Sequence, residues 1–317
     1  MKVKPLSRWL VVTAALAATL GPQHGTAQAA AAPVKIPDVT FVAWNVRNYM
    51  LRPVKNDEGR TLTPAKKPES IEAVVTTLRK IKPDILGLSE MGSRRDLKDL
   101  QKRLRAGGVD LSHATWVDGA DKDRHLALLS RFPLTRVDHQ TRSVFVLGGQ
   151  KRPVQRGFLD CVVDVSPGVS LRILGAHLKS RRVVPEFDQA EFRRSESLLL
   201  RKHVESILAA DPRTSLLLFG DFNDTKNSAV VKGILGRPRS NTALTLLPLS
   251  DRQGDQWTYR WEESDEYSRV DFIMVSEALR PMIQRRGTRI HREPRWFEAS
   301  DHRPLVVTLR VAAKSTP

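Results

Sequence analysis

Cysteine is nearly absent: Cys161 stands alone among 317 residues, which rules out an intramolecular disulfide. It sits in the apolar stretch Phe158-Leu-Asp-Cys-Val-Val, where a thiol is expected to act as a small buried hydrophobe and not as a nucleophile. There is no Cys cluster, no HExxH pair and no nucleotide-binding glycine loop, so thiolate-zinc, zincin and dinucleotide chemistry lack their residues. Acidic residues are also in short supply. The 35 Asp and Glu face 52 Lys and Arg, a net charge of +17 with a pI near 10.4. That surplus favours polyanionic partners: nucleic acid, anionic lipid headgroups or small phosphorylated substrates. The cations are scattered rather than gathered in one run, so a general preference for arginine would give the same balance. Hydrophobic residues, at 40%, suffice for a core that needs no disulfide or metal staple. No internal repeat, low-complexity tract or linker divides residues 36–312.

The N-terminal segment has the anatomy of an export signal. Lys2, Lys4 and Arg8 precede the apolar run Trp9–Leu20, and an Ala-x-Ala site follows at Ala27–Ala29. Twelve apolar residues fall short of the roughly 20 that span a bilayer. The expectation is a secretory signal peptide over 1–30, a single catalytic domain over 31–317, and a secreted or periplasmic product. Without those three cations the charge of +17 becomes +14, still strongly basic.

Short apolar strands alternate with amphipathic helices, the pattern of an α/β protein. Strands are expected at 39–44, 84–88, 125–130, 157–165, 171–176, 214–219, 269–275 and 304–310. Helices are expected at 69–81, 93–106 and 187–209, and the segments 52–68 and 236–256 read as long loops. Several strands are apolar on both faces, so each should be covered by helices on one side and a second sheet on the other.

Many of these strands end in a residue able to do chemistry: Asn45, Glu90, His177, Asp221 and Asn223, with Asp271 and Asp301-His302 beside two others. Taken singly, an Asp or Asn after a strand is ordinary turn chemistry, and a His there is an ordinary hydrogen bonder. Together they fit phosphoryl chemistry, which needs a cation against the phosphate charge, a positioned water and hydrogen-bond donors. Glu90, Asp301 and the Asn45 amide are hard oxygen ligands suited to Mg²⁺ or Mn²⁺. Asn223 and His177 can donate to phosphate oxygens, and Asp271 would raise the pKa of His302. Two residues apart in extended backbone, Asp221 and Asn223 should point the same way.

The motifs VAWNVRN, LGLSEM, GAHLKSR, GDFND, SRVDFIMVS and SDHRPL, in this order across residues 45 to 305, resemble the endonuclease/exonuclease/phosphatase superfamily. The resemblance implies a four-layer α/β sandwich of the deoxyribonuclease-I-like type, two packed, mostly antiparallel β-sheets flanked by helices. It also implies divalent-metal-dependent phosphoester hydrolysis with one or two ions. By the same resemblance Glu90 is the principal metal ligand, helped by Asn45 and Asp301. Asp221 orients or deprotonates the attacking water, and Asn223 steadies the phosphate. His302, paired with Asp271, stabilises the transition state, while His177 contacts the phosphate or assists the leaving group.

For the substrate, nucleic acid leads: DNA or RNA is favoured by the charge and by Lys179, Arg181 and Arg182 just beyond His177. A phospholipid or sphingomyelin-type phosphodiester, or a small phosphoester, is the alternative, with Trp296 and Phe297 as candidate docking aromatics. A basic polyanion binder without catalysis ranks third. Lys151, Arg152 and Arg156 after Gly148-Gly149 form a second candidate phosphate loop, though a hairpin explains the glycines equally well. Trp44 and Phe222 read as core. No protein partner is implied, and a monomer is expected.

Overall fold

The computed structural model describes residue 1 and residues 38–311; the export-signal segment and the expected domain boundary lie outside the described residues. The chain opens with β1 (Asp38–Tyr49), β2 (Val54–Lys55), β3 (Thr61–Thr63), α1 (Pro68–Ile81), β4 (Ile85–Met91) and α2 (Arg94–Ala106). Next come β5 (His113–Trp116), β6 (His125–Ser130), β7 (Leu134–Val137), β8 (Val144–Leu147), β9 (Gln150–Pro153), β10 (Phe158–Ser166), β11 (Val169–His177) and α3 (Gln189–Ala210). The last part holds β12 (Leu216–Asp221), α4 (Ala229–Leu235), β13 (Leu244–Leu246), β14 (Tyr259–Trp261), β15 (Glu266–Ser268), β16 (Asp271–Ser276), β17 (Ile283–Ile290), α5 (Trp296–Ala299) and β18 (Leu305–Arg310).

Two six-stranded sheets form the centre, with strand orders β17-β18-β1-β4-β6-β5 and β13-β16-β12-β11-β10-β7. Each is antiparallel except at one pair, β1 with β4 in the first and β11 with β12 in the second. Alternation along each strand sorts its side chains into layers. Val39, Phe41 and Ala43 of β1 join Leu159, Cys161, Leu217, Phe219 and Ile273 of the second sheet in the central core. Val42 and Trp44 point the other way, onto α1 and α2, and α3 and α4 cover the outer face of the second sheet. This is the expected four-layer arrangement, and it explains why the central strands are apolar on both faces. Cys161 is fully buried, as expected.

The helices follow their local signals. Pro68 sits at the start of α1, Ile71, Val74, Val75 and Leu78 line its buried face, and Lys82 in left-handed conformation closes it. Ser93 and Asp96 form a reciprocal capping box at the start of α2. Two expectations needed revision. Asn45 does not end its strand, because β1 continues through an irregularity between Asn45 and Tyr49. The loops 52–68 and 236–256 carry the small β2–β3 ribbon and strand β13.

Between the sheets the Phe219 ring is wedged against glycines of both. A Cβ on Gly87 of β4 would collide with the ring, and one on Gly175 of β11 would come within 2.7 Å of it. Gly87→Ala is therefore expected to lower unfolding free energy by about 1–3 kcal/mol through overpacking, read from urea denaturation midpoints at constant m. A midpoint equal to that of the parent would mean that the wedge is loose.

Candidate active site

Backbone pairing alone aligns the second-sheet residues. His177 and Asp221 end parallel neighbours and are Cα partners, and Asp221 is in turn the antiparallel partner of Asp271. The first sheet brings Asn45 on β1, Glu90 near the end of β4, and Asp301-His302 just ahead of β18. The two sets meet at one carboxylate oxygen. Asp221 Oδ2 accepts from Asn45 Nδ2 at 3.1 Å and lies 3.6 Å from His177 Nε2 and 3.7 Å from His302 Nε2.

Two buried carboxylates, Asp221 and Asp271, thus flank one imidazole. His302 Nδ1 bonds Asp271 Oδ2 at 2.8 Å. Burial opposes the charge on His302, yet the fields of Asp271 and Asp221 and the Asp271 bond outweigh it and lift the pKa to about 10. Burial, then repulsion from Asp271, pushes Asp221 up to about 7 against the pull of His302. His177 is the opposite case: burial first, then Arg156 and His302, drive its pKa well below 6.5, so it is neutral. Its Nδ1 is buried without a partner. The cluster therefore holds one charged imidazole, one neutral imidazole and a carboxylate poised near neutral pH.

Glu90 and Asp301 form the open side. Their side chains are 17% and 24% exposed, and their nearest cations are distant, Arg124 at 4.0 Å and Arg47 at 3.6 Å. Two incompletely neutralised carboxylates fit a hard divalent cation. Asn45 fits less directly, because its amide nitrogen faces Glu90 at 3.1 Å while its oxygen accepts from Arg47 N at 3.0 Å. Oxygen ligation would require the amide to turn over and release the Arg47 N–H. Asp221, Asp271 and His302 are also close enough to bracket an ion, but the proton on His302 already offsets the charge of Asp271.

The backbone is contorted where these side chains emerge. Arg47, Asn48, Glu90 and Asn223 all have positive φ, between 44° and 59°, which is strain concentrated at one place. Glu90 Oε2 accepts from Asn48 N at 3.1 Å. The half-buried Lys66 donates to the carbonyls of Val46 and Arg47 at 3.0 and 3.1 Å. Burial foremost lowers the Lys66 pKa to about 8. Asn223 departs from the extended reading: the Asp221 carboxylate accepts its backbone N–H at 2.9 Å, turning the chain, and its side-chain nitrogen donates to Leu178 O. Asp221 and Asn223 are therefore not a pair on one strand face.

The three cations beyond His177 separate. Arg181 is anchored to Asn223 O and Asp224 at the rim, Lys179 is half-buried with its ammonium 5.9 Å from the Phe187 ring, and Arg182 is exposed. Lys151, Arg152 and Arg156 do not form one loop. Gly148 and Gly149, both at positive φ, turn the β8–β9 hairpin, while Arg156 is buried against Asp121 at 2.9 Å. Trp296 packs 5.1 Å from Trp257, and Phe297 is exposed. Trp44 is core, as expected, but its indole also donates to His302 O at 2.9 Å.

Sequence reasoning missed several supports. Tyr259 packs tilted against the His302 ring, centroids 4.8 Å apart, and Thr258 Oγ1 accepts the backbone N–H of Val270 and of Asp271. Ser300 Oγ joins Asn45 O to His302 N. Glu196, raised by burial to about 7, takes the N–H groups of Gln155 and Lys179. None has a spacing that marks it; the Ser preceding Asp301-His302 was the only visible hint.

The fold and this cluster together define a two-sheet α/β protein with an acid–imidazole centre at one end of the sheets. The chain belongs to the Endonuclease/Exonuclease/phosphatase family, whose model matches residues 42–302; its members hydrolyse phosphoester bonds. Among solved structures it resembles truncated TDP2 of Caenorhabditis elegans at 16% identity, covering 86% of this chain and 98% of that one, with TM-score 0.59. The human Nocturnin catalytic domain with bound sulfate is similar at 18% identity, 86% and 93% coverage and TM-score 0.58. An endonuclease/exonuclease/phosphatase from Bacteroides vulgatus is similar at 16% identity, 87% and 100% coverage and TM-score 0.59. At these identities the likeness is one of fold. Among curated protein sequences none matches this chain.

The charge on His302 can be measured directly. Its folded pKa lies above the ordinary 6.5, so its stabilising contribution is complete below about pH 6.5 and fades as pH climbs through about 10. Followed by NMR without added metal, its imidazole is expected to stay protonated to about pH 10 and to titrate about two units lower in Asp271→Asn. Identical titrations in parent and variant would remove Asp271 as the cause.

Proposed function

We propose that this chain is an exported phosphodiesterase that hydrolyses nucleic acid, DNA or RNA, by in-line attack of water with Mg²⁺ or Mn²⁺. The observation that carries the reading is the meeting of a charged His302, a neutral His177 and a near-neutral Asp221 at one oxygen, beside the open carboxylates Glu90 and Asp301. Export is proposed from the signal-like segment 1–30, with a secreted or periplasmic product. Nucleic acid is preferred because the rim is cationic, with Arg47, Arg124, Arg181 and Arg182 all at least partly exposed, and because the chain keeps +14 without Lys2, Lys4 and Arg8.

Glu90 and Asp301 would hold the cation, with the turned Asn45 amide as a third oxygen. When bound, it would neutralise phosphate charge and favour a developing oxyanion. Asp221, with a pKa near neutrality, orients the water and takes its proton. His302, held charged by Asp271, donates to a non-bridging oxygen as charge builds. His177 stays neutral and offers one N–H to the phosphate or the leaving oxygen. Asn223 contributes its second amide N–H, the first being engaged by Leu178 O. Arg181 holds a flanking phosphate without reading a base.

Supercoiled plasmid with Mg²⁺ or Mn²⁺ is the deciding substrate. Nicking is expected, abolished by EDTA and reduced at least about a hundredfold by Glu90→Ala or Asp221→Asn. Intact plasmid beside cleavage of a phospholipid or a simple diester would overturn the nucleic-acid part and keep the phosphodiesterase. Cleavage that survives EDTA would overturn the metal.

A further inference from the structure

The β8–β9 ribbon has two dissimilar faces. On one, Phe145 packs edge-on against Phe192 of α3 at 4.7 Å, and its cross-strand partner Arg152 lies 5.3 Å from the Phe187 ring. The opposite face holds Val144 paired with Pro153 and Val146 paired with Lys151. Those valines are 53% and 65% exposed. Among the described residues neither strand has a second partner. Outward β-branched side chains on a free-edged ribbon are an aggregation hazard unless something covers them. Cations accompany them: Lys151 is the exposed cross-strand partner of Val146, and Arg142 is exposed two residues before Val144.

We propose that this face docks the protein onto an anionic phospholipid bilayer, the valines entering the headgroup boundary while Lys151 and Arg142 meet lipid phosphates. Apolar side chains flanked by cations fit such a surface. Nucleic acid fits less well, since valines neither stack on bases nor bond phosphates. A second copy would set lysine and arginine against their like. Val144, Val146, Lys151 and Arg142 are not among the residues of the catalytic cluster, so the inference does not depend on which phosphoester is cleaved.

The test is cosedimentation of the purified chain with vesicles of phosphatidylcholine alone or with added phosphatidylglycerol. Binding is expected only with phosphatidylglycerol and should weaken as salt rises. Val144→Glu/Val146→Glu should reduce partitioning at least about tenfold, and Lys151→Glu roughly fivefold. The valine variant should keep the parental thermal melt and its rate on a soluble diester; the melt reports folding even if no diester is cleaved. Absence of binding to phosphatidylglycerol vesicles would overturn the proposal, as would binding that the valine variant retains. Loss of affinity for a single-stranded oligonucleotide, with vesicle binding intact, would assign the face to nucleic acid instead. Dimers in light scattering that the valine variant dissolves would assign it to a second copy.

Discussion

Asp221 and Asp271 are directly opposed on adjacent antiparallel strands, both buried. Like charges in that position repel, and in a dry interior the repulsion is severe. The imidazole of His302, reaching in from the other sheet and bonding Asp271, supplies the opposing charge, while Asn45 and Asn223 donate to Asp221. Much of the surrounding structure places that ring: Trp44 holds its carbonyl, Ser300 its N–H, Tyr259 packs tilted against it, and Thr258 fixes the backbone of Asp271. The proton is thus a structural part as well as a chemical one. A site built to keep it against burial is one already arranged for a substrate that brings negative charge.

The cluster separates two kinds of residue by how the sequence reveals them. Asn45, Glu90, His177, Asp221, Asp271 and His302 were legible because each adjoins an apolar run, and those runs converge at one end of the sheets. Lys66, Tyr259, Thr258 and Glu196 were not, since they act through backbone groups and ring faces that leave no spacing in the chain. Period-2 reasoning failed at Asn223, where a side chain capping its own backbone turned the strand early. It failed again at Asn45, where β1 continues through a bulge to Tyr49. Strands β5, β7 and β17 went unread because they are short or polar, with only one face to bury. The hairpin at Gly148-Gly149 was legible as a turn, but not that its valines would face outward.

Electrostatics tie these observations together. Cations approach the site from Arg47, Lys66, Arg124, Arg156 and Lys179, and the last four are held by neighbours that limit their movement: carbonyls for Lys66, Asp121 for Arg156, Glu90 at longer range for Arg124, Phe187 for Lys179. After burial, the fields of Arg156, Arg124 and Lys179, with that of His302, keep His177 neutral. Across the cleft, the β14–β15 hairpin next to His302 carries Glu262, Glu263, Asp265 and Glu266. The site is therefore polarised, basic on the His177 side and acidic beyond Tyr259. A long polyanion would be drawn along the basic wall and turned away by the acidic one.

Because His177, Asp221 and Asp271 come from one sheet and Asn45, Glu90 and His302 from the other, their meeting depends on how the sheets are spaced. That spacing is set close by, since Phe219 lies only two residues before Asp221 and fills the gap opposite Gly87 of β4, three residues before Glu90. A displacement of the wedge would move the Asp221 oxygen relative to Glu90 and His302 directly, with little chain in between to absorb it. Interiors packed at crystal-like density transmit such shifts instead of damping them. Core packing and catalytic geometry are consequently the same constraint in this protein, and glycine at position 87 serves the active site although its backbone never reaches it.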